Sequence, residues 1–277
     1  MEFIKEIFSQ NISFIRNAVI ASFLSSILFG IIGSIVSVKR IAGLAGAISH
    51  AVLGGIGIAL FLSVNKIIPL FPPIIGAIIF AVITAIIIGI ISIKAKQKED
   101  TVINALWAIG MSIGIVFIAK TPEYVDPMSY LFGNILLISN LNLFLIFFMD
   151  IVLIILTLRY YKQIQAITFD EEFAMIRGIN TKAMFIFLLI IVAISIVLLQ
   201  TFVGIVMVIA MLTIPVGVAS YFSKNLFSLI VLSTIFSFVF SILGLVISWI
   251  LDLPAGAVIV IFAGIIYIFA SLIKLKR

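Results

Sequence analysis

Cysteine is absent from all 277 residues, so neither disulfides nor thiolate metal sites can form. Histidine occurs once, at His50. Charged residues make up only 10%, against about 25% in an ordinary soluble domain. A surface with so few charges could not be wetted, which excludes a soluble globular protein. Catalytic signatures are missing as well: there is no G-x-x-x-x-G-K-[ST] phosphate loop, no H-E-x-x-H and no G-x-S-x-G. The single imidazole has no nucleophile beside it, because Ser49 points about 100° away on a helix. An intramembrane hydrolase therefore finds no dyad. Glycine–serine linkers and long charge runs are also lacking, so no soluble domain is set apart. Glu2, Lys5 and Glu6 precede the first apolar block without an A-x-A-like cleavage site, and that block is expected to insert and stay.

What the chain does have is apolar length. Hydrophobic residues make up 64%, and the mean hydropathy is +1.43. They fall into nine blocks, near 17–38, 47–64, 70–93, 101–119, 136–158, 183–200, 202–222, 226–251 and 255–273. A helix needs about 20 residues to cross a bilayer core. The reading is an all-α, polytopic transmembrane helical bundle of eight or nine spans, a single membrane domain over residues 1–277. The doubtful span is 202–222, which carries Gly204, Pro215 and Gly217 and could be re-entrant.

A net charge of +6 in a soluble chain could point to nucleic acid. Here the cations sit between blocks, where they set topology, and no nucleic acid is expected. With nine crossings and Lys39 and Arg40 inside, thirteen of the seventeen Lys and Arg residues fall on the cytoplasmic side. Lys5, Arg16, Lys66 and Lys120 remain outside. The orientation expected is N-terminus out and C-terminus in.

Polar residues inside apolar blocks cost free energy in lipid and call for a partner or a path. Gly46, His50 and Gly54 are spaced i, i+4, i+8 and share one helical face. Two glycines around an imidazole leave a notch, either for a neighbouring helix or for a ligand. Asp150 lies near the middle of the fifth block, where a carboxylate costs about 2.5–3.5 kcal/mol on insertion scales. It is either a satisfied polar contact, a sign of a displaced block edge, or a functional group facing protein or water.

The connection after the fifth block has a local design of its own. Thr168 and Glu171 fit a capping box, with Thr168 as N-cap. Asp170, Glu171 and Glu172 occupy the first turn, favourable at the positive end of a helix. Phe169, Phe173 and Ile176 form an apolar stripe, and Gly178 suits the C-terminal cap. The segment is either a helix lying on the membrane surface or a docking helix for a cytoplasmic partner.

Several of these runs together resemble one family, the zinc/manganese-type ABC transporter permeases. Arg40-Ile-Ala-Gly-Leu-Ala-Gly-Ala-Ile-Ser-His50-Ala is similar to its second-helix motif. Glu99-Asp100, Ser129-Tyr-Leu-Phe-Gly-Asn134-Ile-Leu, and Phe169-Asp-Glu-Glu-Phe-Ala174 with Arg177-Gly178 follow in the family's order. Pro215 to Ala219 and Asp252-Leu-Pro-Ala-Gly256-Ala complete the likeness over residues 14 to 273. The resemblance implies a multi-pass plasma-membrane subunit, usually a homodimer, importing divalent metal ions: zinc, manganese or iron. It implies cytoplasmic ATP-binding subunits and an extracytoplasmic metal-binding protein as partners, besides membrane lipid. The chain itself would be no enzyme and would bind no cofactor, with ATP used by the partner subunit. Phe169, Asp170, Glu171, Glu172, Phe173, Arg177 and Gly178 would couple to the ATPase. Gly46, Ser49, His50 and Gly54 would line the translocation path.

One departure stands out. Many members carry an Asp four residues before the second-helix His, and here that position is Gly46. An Asp/His pair one turn apart suits a borderline metal. Either another carboxylate compensates, for which Asp150 is the candidate beside His50 as metal ligand, or the cargo differs. His50 is expected to face the path near its outer half, although counting from Arg40 puts it closer to the cytoplasm. A stand-alone channel or secondary transporter is the rival reading, with Pro215 and Gly217 serving a broken helix.

Overall fold

The structure is a computed structural model that describes residues 13–94, 99–122, 133, 135 and 138–275. Among them every regular element is a helix. These are α1 (Ser13–Val38), α2 (Ala42–Val64), α3 (Pro73–Lys94), α4 (Glu99–Ala119) and α5 (Asn140–Phe169). There follow α6 (Glu171–Ile176), α7 (Thr181–Val203), α8 (Ile205–Ser220), α9 (Leu226–Leu251) and α10 (Ala255–Leu275). Eight are long and apolar enough to cross a membrane, all but α6 and α8. The chain is a multi-pass membrane protein. Of the motifs quoted above, 129–136 lies outside the described residues apart from Gly133 and Ile135.

Two block edges need correction. α2 begins at Ala42, five residues before the apolar block, and α5 continues to Phe169, well past residue 158. Helical hydrogen bonding does not stop where hydropathy falls, so Arg159, Tyr160, Tyr161, Lys162 and Gln163 simply extend α5 beyond the apolar layer.

The helix ends sort into two faces. At one, Lys39 reaches the end of α5, Val38 packs near Val216, Ala219 and Leu229, and Tyr221 bonds Ser271. The ends of α1, α5, α8 and α10 therefore lie together with the starts of α7 and α9. At the other, Asn17 donates to Asn140 across 3.1 Å and Phe14 meets Trp249. So α8, a shorter apolar helix beside the eight candidate spans, runs back from the far side to the Lys39 face. At about 1.5 Å per residue its 16 residues span only about 24 Å. It can be short because it starts at a turn buried in protein. Gly204 there takes φ +83, and Gly133 presses so close that a Cβ on it would sit 2.3 Å from the Val203 carbonyl carbon. The helix runs unbroken through Pro215 and Gly217, so the break lies at Gly204 and not where the sequence placed it.

Most of these helices are apolar on all sides, so hydropathy alone does not choose which face is buried. Small residues do. α1, α2 and α7 are the most enclosed spans, and α4 the least. α2 is clasped between α3 and α4 through glycines: a Cβ on Gly55 would lie 2.2 Å from the Gly76 oxygen, and one on Gly57 2.5 Å from the Gly114 oxygen.

Candidate functional site

His50 is the ninth of the 23 residues of α2, about 12 Å from its start at 1.5 Å per residue. That is the half nearer Arg40 and not the half nearer Lys66. The imidazole is half-buried and lies flat against the Trp107 indole of α4, with ring centroids 4.3 Å apart and planes 18° apart. Trp107 in turn donates its Nε1–H to the Met111 sulfur at 3.1 Å. His50 Nδ1 is buried with no hydrogen-bond partner among the described residues.

The glycines flanking His50 prove to be unlike. Gly54 is a packing residue, closed by the Gly110 oxygen and the Phe80 ring. Gly46 is open: a Cβ there would meet nothing within 4 Å. Ser49 is fully buried, and its hydroxyl donates to the Ala45 oxygen one turn back. Of the four residues assigned to a path, Gly46 and His50 border open space, while Ser49 and Gly54 are engaged within the bundle.

Asp150 is 2% exposed, and neither carboxylate oxygen has a partner among the described residues. Its helix packs against α1, α6 and α7, whereas α2 packs chiefly against α3, α4 and α7. His50 and Asp150 therefore sit on helices that share no seam, with α7 between them. The idea that Asp150 supplies the carboxylate missing at Gly46 fails within one chain. Among the described residues no group of three or more His, Asp or Glu side chains gathers to hold a metal.

The segment after α5 folds differently in detail from its sequence reading. Thr168 is still inside α5, its hydroxyl donating to the Ile164 oxygen, so it is not the N-cap. Asp170 caps instead, accepting from the Phe173 N–H at 2.9 Å, and it is both the last cap of α5 and the first of α6. Asp is as good an N-cap type as Thr, and what decides between them is that α5 consumes Thr168. Glu171 does not close a capping box but pairs with Lys39 at 2.8 Å. At the other end Ile179 N–H reaches the Ala174 oxygen and Gly178 N–H the Met175 oxygen, with Gly178 at φ +79. This is the paired-bond glycine terminus expected of Gly178.

Only Ala174 of α6 is buried. Phe169, Phe173, Met175 and Ile176 are exposed, Ile176 at 85%, and the Arg177 guanidinium lies 4.9 Å over the Phe173 ring. Glu172 faces a cavity of about 660 Å³ shared with Lys39, Arg40 and Lys182. An apolar stripe ringed by charge thus stands uncovered at the Lys39 face.

Residues 11–274 match the family described as the ABC 3 transport family. The chain belongs to it. A Chlamydia trachomatis serovar D protein named "Probable metal transport system membrane protein" is 37% identical over 93% of this chain and 88% of its own length. The Listeria monocytogenes "Manganese transport system membrane protein MntC" is 32% identical over 96% of this chain and 92% of its own. The solved structure of PsaBC from Streptococcus pneumoniae, in complex with Fab, superposes with a TM-score of 0.85 at 29% identity, covering 100% and 99% of the two chains. The family resemblance and the all-helical permease fold are both borne out.

Trp107 and Met111 were not singled out in the sequence. The signal was there: Trp107 is one of two tryptophans, set at i, i+4 from Met111 in a mostly apolar block.

Proposed function

We propose that this chain is the permease subunit of an ATP-driven importer of divalent metal ions, with manganese the first candidate and zinc or iron the alternatives. The observation that carries it is α6, a helix capped at both ends whose aromatic stripe is left bare at the face richest in Lys and Arg. By the positive-inside bias that face is cytoplasmic, which puts the C-terminus inside. Two copies would flank the path, each seated on a cytoplasmic ATP-binding subunit through Phe169 and Phe173, with Asp170, Glu171, Glu172, Arg177 and Gly178 shaping the contact. ATP hydrolysis then belongs to the partner, in keeping with the absence of a phosphate loop. An extracytoplasmic metal-binding protein would deliver the ion at the opposite face of the plasma membrane. The names of the Listeria and Chlamydia relatives support a metal cargo.

Within the membrane, His50 is the ligand proposed for the ion in transit. A neutral imidazole suits a borderline metal and lets it go when protonated, which fits weak, reversible binding. The open space at Gly46 leaves room beside the ring for ion and water. Reconstitution into vesicles tests the whole reading. Manganese uptake should require both ATP and the ATP-binding subunit; uptake by this chain alone would instead favour a channel or secondary transporter.

A further inference from the structure

The only ion pair among the described residues ties α6 to the membrane helices, and one side chain makes it. Lys39 follows the last residue of α1 and precedes α2 by three positions. Its ammonium donates to Glu171 Oε2, the first residue of α6, at 2.8 Å, and to the Ile167 oxygen in the last turn of α5 at 3.1 Å. It also lies 5.8 Å over the Phe185 ring in α7. The Lys39 side chain is only 15% exposed, so this charge has left most of its water and depends on these partners.

Little else fastens α6. It buries one residue, Ala174, and hangs between Asp170 and the short Arg177–Asn180 link. Beside it the cavity of about 660 Å³, lined by Lys39, Arg40, Glu171, Glu172 and Lys182, leaves it room to shift. A displacement of α6 thus reaches the bundle through Lys39, which stands at the junction of α1 and α2. Arg40 immediately after it takes a left-handed φ of +60, a geometry strained for a non-glycine residue and held there by its surroundings at the α1–α2 corner. His50 lies on the helix that starts at this corner.

We infer that Lys39 is the positioning residue that transmits movement of α6 to α1 and α2, linking events at the docking helix to the path beside His50. The inference rests on the reading of α6 as the docking helix. It goes further by naming a residue outside α6, mostly buried, whose signature is a change in coupling and not in docking.

The test uses the assembled transporter, permease with its ATP-binding subunit, in vesicles with manganese as the probe. It reads manganese carried per ATP hydrolysed. Lys39→Met should keep the subunit bound and ATP hydrolysis near the wild-type rate, while manganese per ATP falls at least about tenfold. Lys39→Arg, which keeps the positive charge, should retain the wild-type ratio, which separates transmission from mere folding. An unchanged ratio in Lys39→Met overturns the inference. So does loss of the ATP-binding subunit from that variant, because Lys39 would then serve docking itself, and so does a Lys39→Arg variant that assembles but is as uncoupled as Lys39→Met. Phe173→Asp run alongside keeps the two readings apart. If it transports normally, the docking helix is misassigned; if it fails while Lys39→Met keeps the ratio, only the transmission role falls.

Discussion

The α2–α3–α4 seam and the helix α6 are both built from short motifs that stand out in sequence, yet they end in opposite states. In the seam, glycines bring backbone against backbone. Gly55 meets Gly76, Gly54 meets Gly110 and Gly57 meets Gly114, with no room for one added carbon. Around α6, Phe173 and Ile176, with Phe169 at the end of α5, are held out into open space beside a helix whose ends are both capped. Lipid tails give helices no hydrophobic reason to associate, so close van der Waals fit must hold the seam. Outside the bilayer an exposed aromatic pair is costly to leave in water, and a preformed apolar stripe marks a contact to be made. A motif of small residues here is structure completed; a motif of exposed large ones is an apolar surface left uncovered.

The comparison can be broken most forcefully at Gly55. Gly55→Leu should drive the side chain into the Gly76 carbonyl, where overpacking typically costs about 1–3 kcal/mol and occasionally more. Membrane yield of folded protein, read by detergent-stable size-exclusion signal, should collapse; a normal yield would mean the seam is looser than it looks. His50→Ala should fold normally and lower manganese uptake at matched expression by at least about tenfold, what losing even an outer-shell partner of a metal can cost. Unchanged uptake would remove His50 from the path. Gly46→Asp should be tolerated, since nothing lies within 4 Å of its Cβ, and isothermal titration should show manganese bound a few-fold or about tenfold tighter through a restored Asp/His pair. Asp150→Asn should change least: its helix shares no seam with α2, so uptake should stay within about twofold and combine additively with His50→Ala.

Much of this was legible in sequence, and the reason is physical. Bilayer thickness imposes block length, so the eight helices of spanning length among the described residues could be read from hydropathy, with α9 matched to the residue, while 202–222 stayed open between a crossing and a re-entrant segment. The edge at Phe169 was misplaced because hydrogen-bonded helix continues past the apolar layer; at Ala42 the run Ala42 to Gly46 extends the helix inside the bundle, where Leu44 and Ala45 are buried. The partners of each helix were not legible, since a segment apolar on every side carries no directional moment. The equal-looking Gly46 and Gly54 could be told apart only once α3 and α4 were in place. For α6 the pattern of cap, stripe and terminal glycine was legible, but not the shift of the N-cap from Thr168 to Asp170. That depended on how far α5 runs. Lys39 read as one topology charge among thirteen, because its partners Ile167 and Glu171 lie more than a hundred residues away.

The account stands on the claim that the bare stripe of α6 is where ATP-driven force enters the permease. Manganese uptake by vesicles carrying this chain with its ATP-binding subunit, wild type against Phe173→Asp, tests that claim most directly. The account predicts a folded, inserted variant that binds the subunit about thirty-fold more weakly, the scale of losing an interface anchor, and takes up no manganese on adding ATP. Uptake at the wild-type rate by Phe173→Asp would contradict it.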